Sequence, residues 1–168
     1  MNKFLESQKI YFRPYEKFDA VFLKKWPNLL AEPFLKINKN DIVFVAVDTT
    51  NEDPIGVVVL NEIDYIPRKA SIKIALDRKY WQKEHMNEMM EMTVFYAFDR
   101  LNLNRISLAY SSSNRKIGNN AKQAGFISEC VFRKDIYSGG KYYNKIVTTV
   151  LRENYYNNFY REHSKRFK

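Results

Sequence analysis

Residues 70–101 carry the strongest signal for chemistry in this sequence of 168 residues. An alternating strand at 70–76 is followed by a polar segment at 77–85 and by an apolar helical pattern that begins at Met86. The N-terminus of a helix presents free backbone N–H groups and the positive end of the helix dipole. This strand–loop–helix unit therefore predicts a site for a phosphate-bearing ligand.

Side chains that titrate near neutral pH are scarce around this unit. His85, at the predicted start of the helix, is one of them, although loop histidines more often have no chemical role. Tyr110 and the serines at 111–113 end a later strand and offer hydroxyl groups, but a polar loop is the commoner role for such a run. The single cysteine, Cys130, is expected to be a small apolar residue in a strand. The residue types alone therefore assign no catalytic residue.

The elements that must position these groups follow from periodicity, which predicts a mixed α/β domain. Apolar and alternating runs predict strands at residues 9–13, 42–47, 55–60, 70–76, 105–110, 125–132 and 145–151, with a hairpin turn at 138–140 before the last. Helical spacing predicts helices at residues 16–26, 86–101 and 114–124. The strands at 55–60 and 70–76 are expected to pair in antiparallel fashion, since a turn that contains Pro67 joins them.

The helix at 86–101 is expected to turn one apolar stripe towards the core. The members of the stripe are Met86, Met89, Met90, Val94, Ala97, Phe98 and Leu101. Its methionines are interpreted as core residues rather than as part of a cofactor site, because flexible thioether side chains are common fillers of protein cores.

Composition excludes several classes of protein and indicates anionic partners. The 28 basic and 19 acidic side chains give a net charge of +9, which favours partners that carry negative charge. One cysteine excludes an intrachain disulfide and a thiolate zinc site, and no metal is expected. The longest apolar run, 42–47, has six residues, whereas a membrane helix needs about twenty, and the charged N-terminus lacks a secretory signal. A cytoplasmic protein is therefore predicted.

The C-terminal end is predicted to lie outside the main domain. Residues 1–153 form a single domain and residues 154–168 a basic, tyrosine-rich extension in this interpretation. The aromatic residues at 155–160 are spaced to lay one face of a short helix on the body. The last eight residues, 161–168, hold four basic side chains against one acidic side chain, which is typical of a solvated, frayed tail.

Several segments, taken in order, resemble the GCN5-related N-acetyltransferases, the GNAT superfamily. The similar branch is that of the ribosomal-protein alanine and spermidine N-acetyltransferases. The strand A-S-I-K-I-A-L at 70–76 precedes the loop W-Q-K-E-H-M-N at 81–87. The helix ends in Y-A-F-D-R-L-N-L-N-R-I at 96–106, and N-R-K-I-G-N-N-A-K-Q-A-G-F follows at 114–126. The order and spacing of these pieces, over residues 9–153, carry the resemblance.

The resemblance implies a mixed, mostly antiparallel twisted sheet flanked by helices, with acetyl-CoA between two central strands that part. A primary amine would attack the thioester directly, while the protein orients the amine, accepts its proton and polarises the carbonyl. The strand would pair with the pantetheine arm, the loop amides would cradle the pyrophosphate, and the start of the later helix would contact the cofactor. The implied cofactor-binding positions are Ile74, Ala75, Leu76, Gln82, Lys83, Glu84, His85, Met86, Asn87 and Asn114.

The pyrophosphate-binding loop is degenerate at all three glycine positions of the family. Gln82, Glu84 and Met86 stand there, although glycine admits a close approach of the backbone to phosphate. If Glu84 faced the pyrophosphate, two unit charges about 4 Å apart at an effective dielectric of about 20 would repel by about 4 kcal/mol. Lys83 and Arg78 are expected to offset part of this repulsion.

The positions that supply the acid and base in many relatives are also changed. Ser71 stands where the strand often carries Glu, and Ile117 and Ala121 stand where a hydroxyl side chain often protonates the leaving thiolate. These departures favour an alternative, a catalytically impaired GNAT-like binding or interaction module. A non-glycine loop still has backbone N–H donors, so an active enzyme is the preferred interpretation.

The expected partners are an acyl-CoA and an acceptor that bears an amine. The acceptor is left open among a polyamine, a protein N-terminus, an aminoglycoside and a sugar amine, although a net charge of +9 disfavours polycations such as spermidine. Nucleic acid is disfavoured as a partner, because most of the 24 Phe and Tyr residues follow patterns that place them in the core. A homodimer is left open, and no membrane partner is expected.

Overall fold

An eight-stranded mixed sheet carries the described part of the chain, which is residues 3–25, 37–81 and 84–167 of a computed structural model. The strands are β1 (Leu5–Glu6), β2 (Ile10–Pro14), β3 (Ile42–Asp48), β4 (Pro54–Asp64), β5 (Lys69–Leu76), β6 (Arg105–Ser111), β7 (Ile127–Ser138) and β8 (Lys141–Leu151). The helices are α1 (Ala20–Lys25), α2 (His85–Phe95), α3 (Arg115–Gln123), α4 (Arg152–Asn158) and α5 (Tyr160–Arg166), with 3-10 turns at Lys17–Asp19 and Arg78–Tyr80 and a π-helical turn at Tyr96–Arg100.

The strand order is β1-β2-β3-β4-β5-β6-β8-β7, and among the described strands only β5 and β6 are parallel neighbours. The segment with α2 connects these two strands, because parallel neighbours need a long connection. β4 and β5 pair in antiparallel fashion, with Val58 opposite Ile74, as the sequence predicts. The predicted fold class, a mixed and mostly antiparallel sheet flanked by helices, is confirmed.

α2 is buried on all sides rather than along one stripe. The predicted apolar positions within it are buried, but so are Met92 and Phe95 and the charged Glu88 and Glu91. The sheet lies against one side of α2 and the C-terminal end of the chain against the other, where the rings of Phe95 and Phe167 lie 5.7 Å apart. The prediction of one stripe is therefore too narrow, because a helix enclosed by two layers is buried around most of its circumference.

α4 and α5 fold the C-terminal end onto α2 as a third layer. Tyr155 is fully buried among aromatic rings, and His163 and Phe167 are buried as well. The expectation of a solvated tail at 161–168 is wrong, because Arg166 forms ion pairs with two carboxylates of α2. We therefore propose that the folded domain extends to residue 167 instead of ending at 153.

The β7–β8 hairpin is longer than predicted. β7 continues to Ser138 rather than Phe132, and β8 begins at Lys141 rather than residue 145. The predicted turn is confirmed, with Gly139 and Gly140 at φ values of 56° and 77° that glycine adopts without strain. Cys130 lies in β7, as predicted for a strand residue, but it is exposed.

The helical segment predicted at 16–26 does not bury its whole apolar face. Phe18 and Val21 are 48% and 57% exposed. Phe22 packs against Val57 of β4. The fourth predicted apolar residue, Trp26, lies outside the described residues.

His163 should make the stability of the protein sensitive to mild acid. Burial lowers the pKa of His163 to about 4 from 6.5, so the folded state favours the neutral ring. Below pH 6.5 the unfolded chain binds a proton that the folded state excludes, and we expect this group to remove up to about 3 kcal/mol of unfolding free energy as the pH falls from 7 to 4. Urea unfolding at several pH values measures this loss.

His163→Gln is the matched variant for this measurement, because glutamine keeps a polar group beside the Tyr155 hydroxyl, 3.1 Å from His163 Nδ1. The acid sensitivity should be smaller in the variant. Burial raises the pKa of the neighbouring Glu91, whose protonation favours the folded state and acts in the opposite direction in both proteins. If the unfolding free energy depends on pH equally in the two proteins, then His163 is not the source of the acid sensitivity.

Candidate active site

β5 and β6 part at their carboxyl ends and leave a wedge-shaped gap in the sheet. Their parallel pairing runs from Lys69 opposite Arg105 to Ile72 opposite Leu108 and then stops. β5 continues over residues 73–76 and β6 over residues 109–111. Across the wedge, the described strands offer no partner to these facing backbone groups, which is a costly arrangement unless a ligand or water satisfies them.

Close packing of β4, β5 and α2 forms one wall of the wedge. An added Cβ at Gly56 of β4 would lie 2.6 Å from the backbone oxygen of Ala75 and 2.9 Å from the terminal methyl group of Met89, so only glycine allows this approach. The indole N–H of Trp81 donates a hydrogen bond to the Leu76 carbonyl at 2.7 Å. This bond fixes the end of β5 where the polar loop begins.

The carboxylate of Glu84 is held outside the start of α2. Glu84 is exposed, and its side chain forms an ion pair with Lys9, the residue before β2. The hydrogen bond from Lys9 lowers the pKa of Glu84, so the carboxylate stays charged and compensated. Lys9 therefore takes the offsetting role that the sequence assigned to Lys83 and Arg78; Lys83 lies outside the described residues, as does Gln82.

His85 is a buried anchor for α2 rather than an exposed loop residue. Its Nε2 lies 3.0 Å from an Asp48 carboxylate oxygen at the end of β3, and its ring meets the Tyr80 ring edge-on at 5.1 Å. Burial opposes ionisation of Asp48, but hydrogen bonds from the Thr50 N–H and from His85 outweigh it and lower the pKa of Asp48. The pair attaches the start of α2 to the sheet, a role that the sequence did not indicate for Asp48.

Met86 and Asn87 turn their side chains into the protein. Met86 is buried in the core, and the Asn87 carboxamide donates to Glu91 at 2.7 Å. Together with His85, these residues form the first turn of α2, whose backbone N–H groups have no partner within the helix. A phosphate at this position would meet backbone donors, not the side chains of His85 or Met86.

α3 begins directly after the parted end of β6, with Asn114 as its predicted cap. The Asn114 Oδ1 accepts a hydrogen bond from the Ile117 N–H at 3.2 Å. This bond leaves the carboxamide nitrogen as the group that can meet a ligand. In the preceding loop, the hydroxyls of Ser111 and Ser113 hydrogen-bond each other at 2.8 Å.

Tyr110 brings a phenol beneath α3 at the same end of β6. An added Cβ at Gly118 would lie 2.8 Å from the Tyr110 hydroxyl oxygen, so the glycine admits the ring. Burial raises the pKa of Tyr110, which keeps the hydroxyl protonated at neutral pH. Tyr110 and Gly118 line a cavity of about 540 Å³ that also reaches Thr148 and Phe159.

A carboxylate that sequence reasoning missed lies beside Ser71. The Ser71 hydroxyl donates to the Glu62 carboxylate of β4 at 2.7 Å, one residue before the point where β5 and β6 part. Glu62 has a φ of 53° within the irregular pairing between Asn61 and Asp64, an uncommon conformation for a non-glycine residue. The predicted antiparallel pairing of these two strands was the signal that could have placed Glu62 near Ser71.

Comparison with protein-family models identifies the chain. Residues 11–127 match the model of the Acetyltransferase (GNAT) domain. The chain belongs to this GNAT acetyltransferase family. The membership confirms the resemblance seen in the sequence and the predicted class of activity, acyl-CoA-dependent N-acetylation of an amine.

Relatives of this GNAT protein include polyamine-directed enzymes. The chain is 28% identical over 145 residues to the spermidine N(1)-acetyltransferase of Vibrio cholerae, over 86% of this chain and 79% of the relative. It is 25% identical over 97 residues to YdaF of Bacillus subtilis, a candidate ribosomal N-acetyltransferase, over 58% of this chain and 53% of that protein.

Solved structures share the fold of this GNAT protein. The Vibrio cholerae spermidine N-acetyltransferase in complex with CoA and spermine superposes with a TM-score of 0.77 at 24% identity, over 89% of this chain and 99% of that one. A chimera of the Vibrio cholerae spermidine N-acetyltransferase and hSSAT gives a TM-score of 0.79 at 24% identity, over 90% of this chain and all of the other.

Two classes of feature do not occur in the part of the GNAT protein that the structure describes. No three His, Cys, Asp or Glu side chains are grouped to hold a metal ion. None of the described helices combines the length and the apolar character that crossing a membrane requires.

Proposed function

We propose that this GNAT protein transfers an acetyl group from acetyl-CoA to a primary amine within the wedge between β5 and β6. The observation that carries the proposal is the wedge itself, where β5 ends without a partner on its β6 side and the next long helix along the chain is α2. An extended pantetheine arm has the amide groups that such strand edges need. The phosphates suit the free N–H groups at the helix start.

The residues present fit acetyl-CoA at three places. The end of β5, Ile74 to Leu76, borders the wedge and would pair with the pantetheine arm through the backbone groups that do not bond β4, whereas the Ala75 oxygen lies towards Gly56 of β4. The N–H groups at the start of α2 would bind the pyrophosphate, and the Asn114 carboxamide nitrogen would contact the cofactor from α3. When bound, acetyl-CoA supplies the activated acyl group as a thioester.

Glu62 is proposed to accept the proton of the attacking amine. The nitrogen forms a bond to the acyl carbon while the bond from that carbon to sulfur breaks, and the nitrogen must lose a proton. Glu62 is exposed, so it can pass the proton to solvent, and its hydrogen bond from Ser71 fixes its position at the narrow end of the wedge. The base would thus come from β4 instead of the β5 position where relatives often carry Glu.

Tyr110 is proposed to protonate the leaving thiolate. Its hydroxyl is protonated at neutral pH because burial raises the pKa of the phenol. Tyr110 belongs to the stretch of β6 that has parted from β5, while the α3 positions that carry a hydroxyl in many relatives hold Ile117 and Ala121. A neutral phenol beside a developing thiolate can donate the proton that completes the transfer.

The alternative function, a catalytically impaired module, is favoured by one feature, the loop without glycines. The backbone of Glu84 nevertheless has a φ of −75°, a value that any residue adopts, so the start of α2 is formed without glycine there. The Glu84 charge is already compensated by Lys9. These two observations support the active enzyme over the alternative.

Two measurements test the proposed function. Titration calorimetry with CoA and acetyl-CoA should detect binding, and thermal unfolding should shift upwards as the ligand is added. Release of free CoA thiol should then follow addition of an acceptor from a panel that includes spermidine and a peptide with N-terminal alanine. The relatives are named for such acceptors, which supports the choice of panel. Absence of CoA binding at millimolar concentration would contradict the proposal.

A homodimer and a cytoplasmic location stay predictions. β7 is an edge strand, and Val131, Phe132 and Tyr137 on it are each about half exposed or more, which supports pairing with a second copy of the chain. A Vibrio cholerae relative has been solved as a dodecamer. Nucleic acid stays disfavoured as a partner, because Tyr155 and most of the apolar aromatic residues of α2 and the sheet are core residues.

A further inference from the structure

The start of α2 contains more acidic side chains than an anion-binding helix should tolerate. Glu84, Glu88 and Glu91 lie within its first two turns. Carboxylates at a helix N-terminus interact with the same positive dipole end that would attract a phosphate. Their negative charge must therefore be compensated if acetyl-CoA is to bind there.

Two of these carboxylates are buried and share one cation from the far end of the chain. Glu88 and Glu91 have side chains that are 2% and 10% exposed. The Arg166 guanidinium of α5 donates to Glu88 Oε1 at 2.9 Å through Nη2 and to Glu91 Oε2 at 2.7 Å through Nη1. One planar fork thus meets both carboxylates, a geometry that arginine provides and lysine does not.

Glu88 also connects α2 to the N-terminal end of the chain. Its second oxygen accepts the Ser7 hydroxyl at 2.5 Å and the Lys9 N–H at 3.3 Å. The Lys9 side chain pairs with Glu84 in turn. Each acidic group at the start of α2 is therefore matched by a donor from the strand region near β1 and β2 or from α5.

We propose that Arg166 is a positioning residue for acetyl-CoA, which keeps the start of α2 attractive to the pyrophosphate by compensating Glu88 and Glu91. The inference rests on the proposed function, because it assigns the pyrophosphate to this helix end. Without Arg166, two buried carboxylates would lack their cation and repel the phosphates. Arg166 lies outside residues 11–127, the part that matches the family model.

The test compares CoA affinity of Arg166→Met with that of Lys165→Met. Lys165 is the exposed neighbour on α5, so its replacement removes the same charge without touching α2. Arg166→Met should raise the dissociation constant for CoA and the KM for acetyl-CoA by about tenfold or more, while kcat changes less than KM. Lys165→Met should bind CoA within about twofold of the parent, because exposed charges have small effects.

Removal of the acidic charges of Glu88 and Glu91 distinguishes charge compensation by Arg166 from a merely structural role of this residue. Adding Glu88→Gln and Glu91→Gln to Arg166→Met should restore most of the CoA affinity, although the contacts of Arg166 remain lost. In the parent background, Glu88→Gln alone should tighten CoA binding by about threefold, because Gln can still accept from Ser7 while the net charge of Arg166, residue 88 and Glu91 together changes from −1 to zero. This second variant retains Arg166 and tests the inference even if Arg166→Met does not fold.

The outcomes separate the inference from the proposed function. A parent protein that does not bind CoA would overturn the proposed function. A parent that binds CoA, together with unchanged affinity in Arg166→Met, would overturn the positioning role alone. So would a Glu88→Gln variant that binds CoA no more tightly than the parent.

Discussion

Replacement of Glu62 by glutamine should lower kcat for amine acetylation by about 100-fold, the usual order of magnitude for loss of a general base. Glutamine keeps an oxygen that can accept from the Ser71 hydroxyl, but it cannot take a proton from the amine. The KM for acetyl-CoA should stay within about twofold, because Glu62 does not contact the proposed pyrophosphate site. Steady-state assays of thiol release measure both constants.

Two further variants test whether the loss of kcat comes from the role of Glu62 as the base. Ser71→Ala should lower kcat by about tenfold, because it removes the group that orients Glu62 and leaves the base itself in place. Glu52→Gln is the matched control: Glu52 also has a left-handed backbone, with a φ of 57°, and accepts from the Tyr11 hydroxyl at 2.6 Å. Tyr11 lies on β2, three strands away from β5. Near-parent activity of Glu62→Gln would place the base elsewhere.

Deletion of residues 160–168 should destabilise the protein strongly, by about 5 kcal/mol. The deletion uncovers Phe95 by removing Phe167, and it leaves Glu88 and Glu91 without the cation of Arg166. A loss of this size corresponds to a fall of about 10–20 °C in melting temperature for a chain of this length. Calorimetry or circular dichroism on heating measures the change.

The control for the deletion separates charge from packing. Arg161→Gln combined with Lys165→Gln removes two positive charges from α5 and leaves its buried residues in place, since both side chains are exposed. The melting temperature of this double variant should change by no more than about 2 °C. If the deletion is equally mild, then α5 does not dock on α2 in solution.

The sequence predicted the order of strands and helices from β2 to β8 because each of these elements has a periodic apolar pattern, whereas the two-residue β1 is too short to show one. The antiparallel pairing of β4 with β5 followed from the same pattern, and so did the Asn114 cap. The aromatic spacing at 155–160 indicated the packing of α4 on the body, where Tyr155 is buried, but the docking of α5 was missed because its basic composition resembles that of a solvated tail. The residues that dock it, His163, Arg166 and Phe167, are spread among exposed ones.

The candidate site was less accessible to sequence reasoning, because its groups meet through tertiary contacts. Glu62 reaches Ser71 only through an irregular pairing in the sheet. His85 was expected in a loop, but it is drawn inside by Asp48, which lies 37 residues earlier. Local spacing has no information about such pairs. The parting of β5 and β6 before positions 74–76 was anticipated from the family resemblance, and cofactor binding at these positions stays a prediction.

A segment before α2 and a segment after it meet at one carboxylate, and this affects the order in which the protein can fold. Glu88 binds Ser7 across 81 residues and Arg166 across 78 residues of sequence. On the ribosome the N-terminal strands and α2 are made first, and two acidic side chains of α2 lack their cation until Arg166 has been added. A translation product that stops before Arg166 would therefore lack both the third layer and the cation that pairs with Glu88 and Glu91.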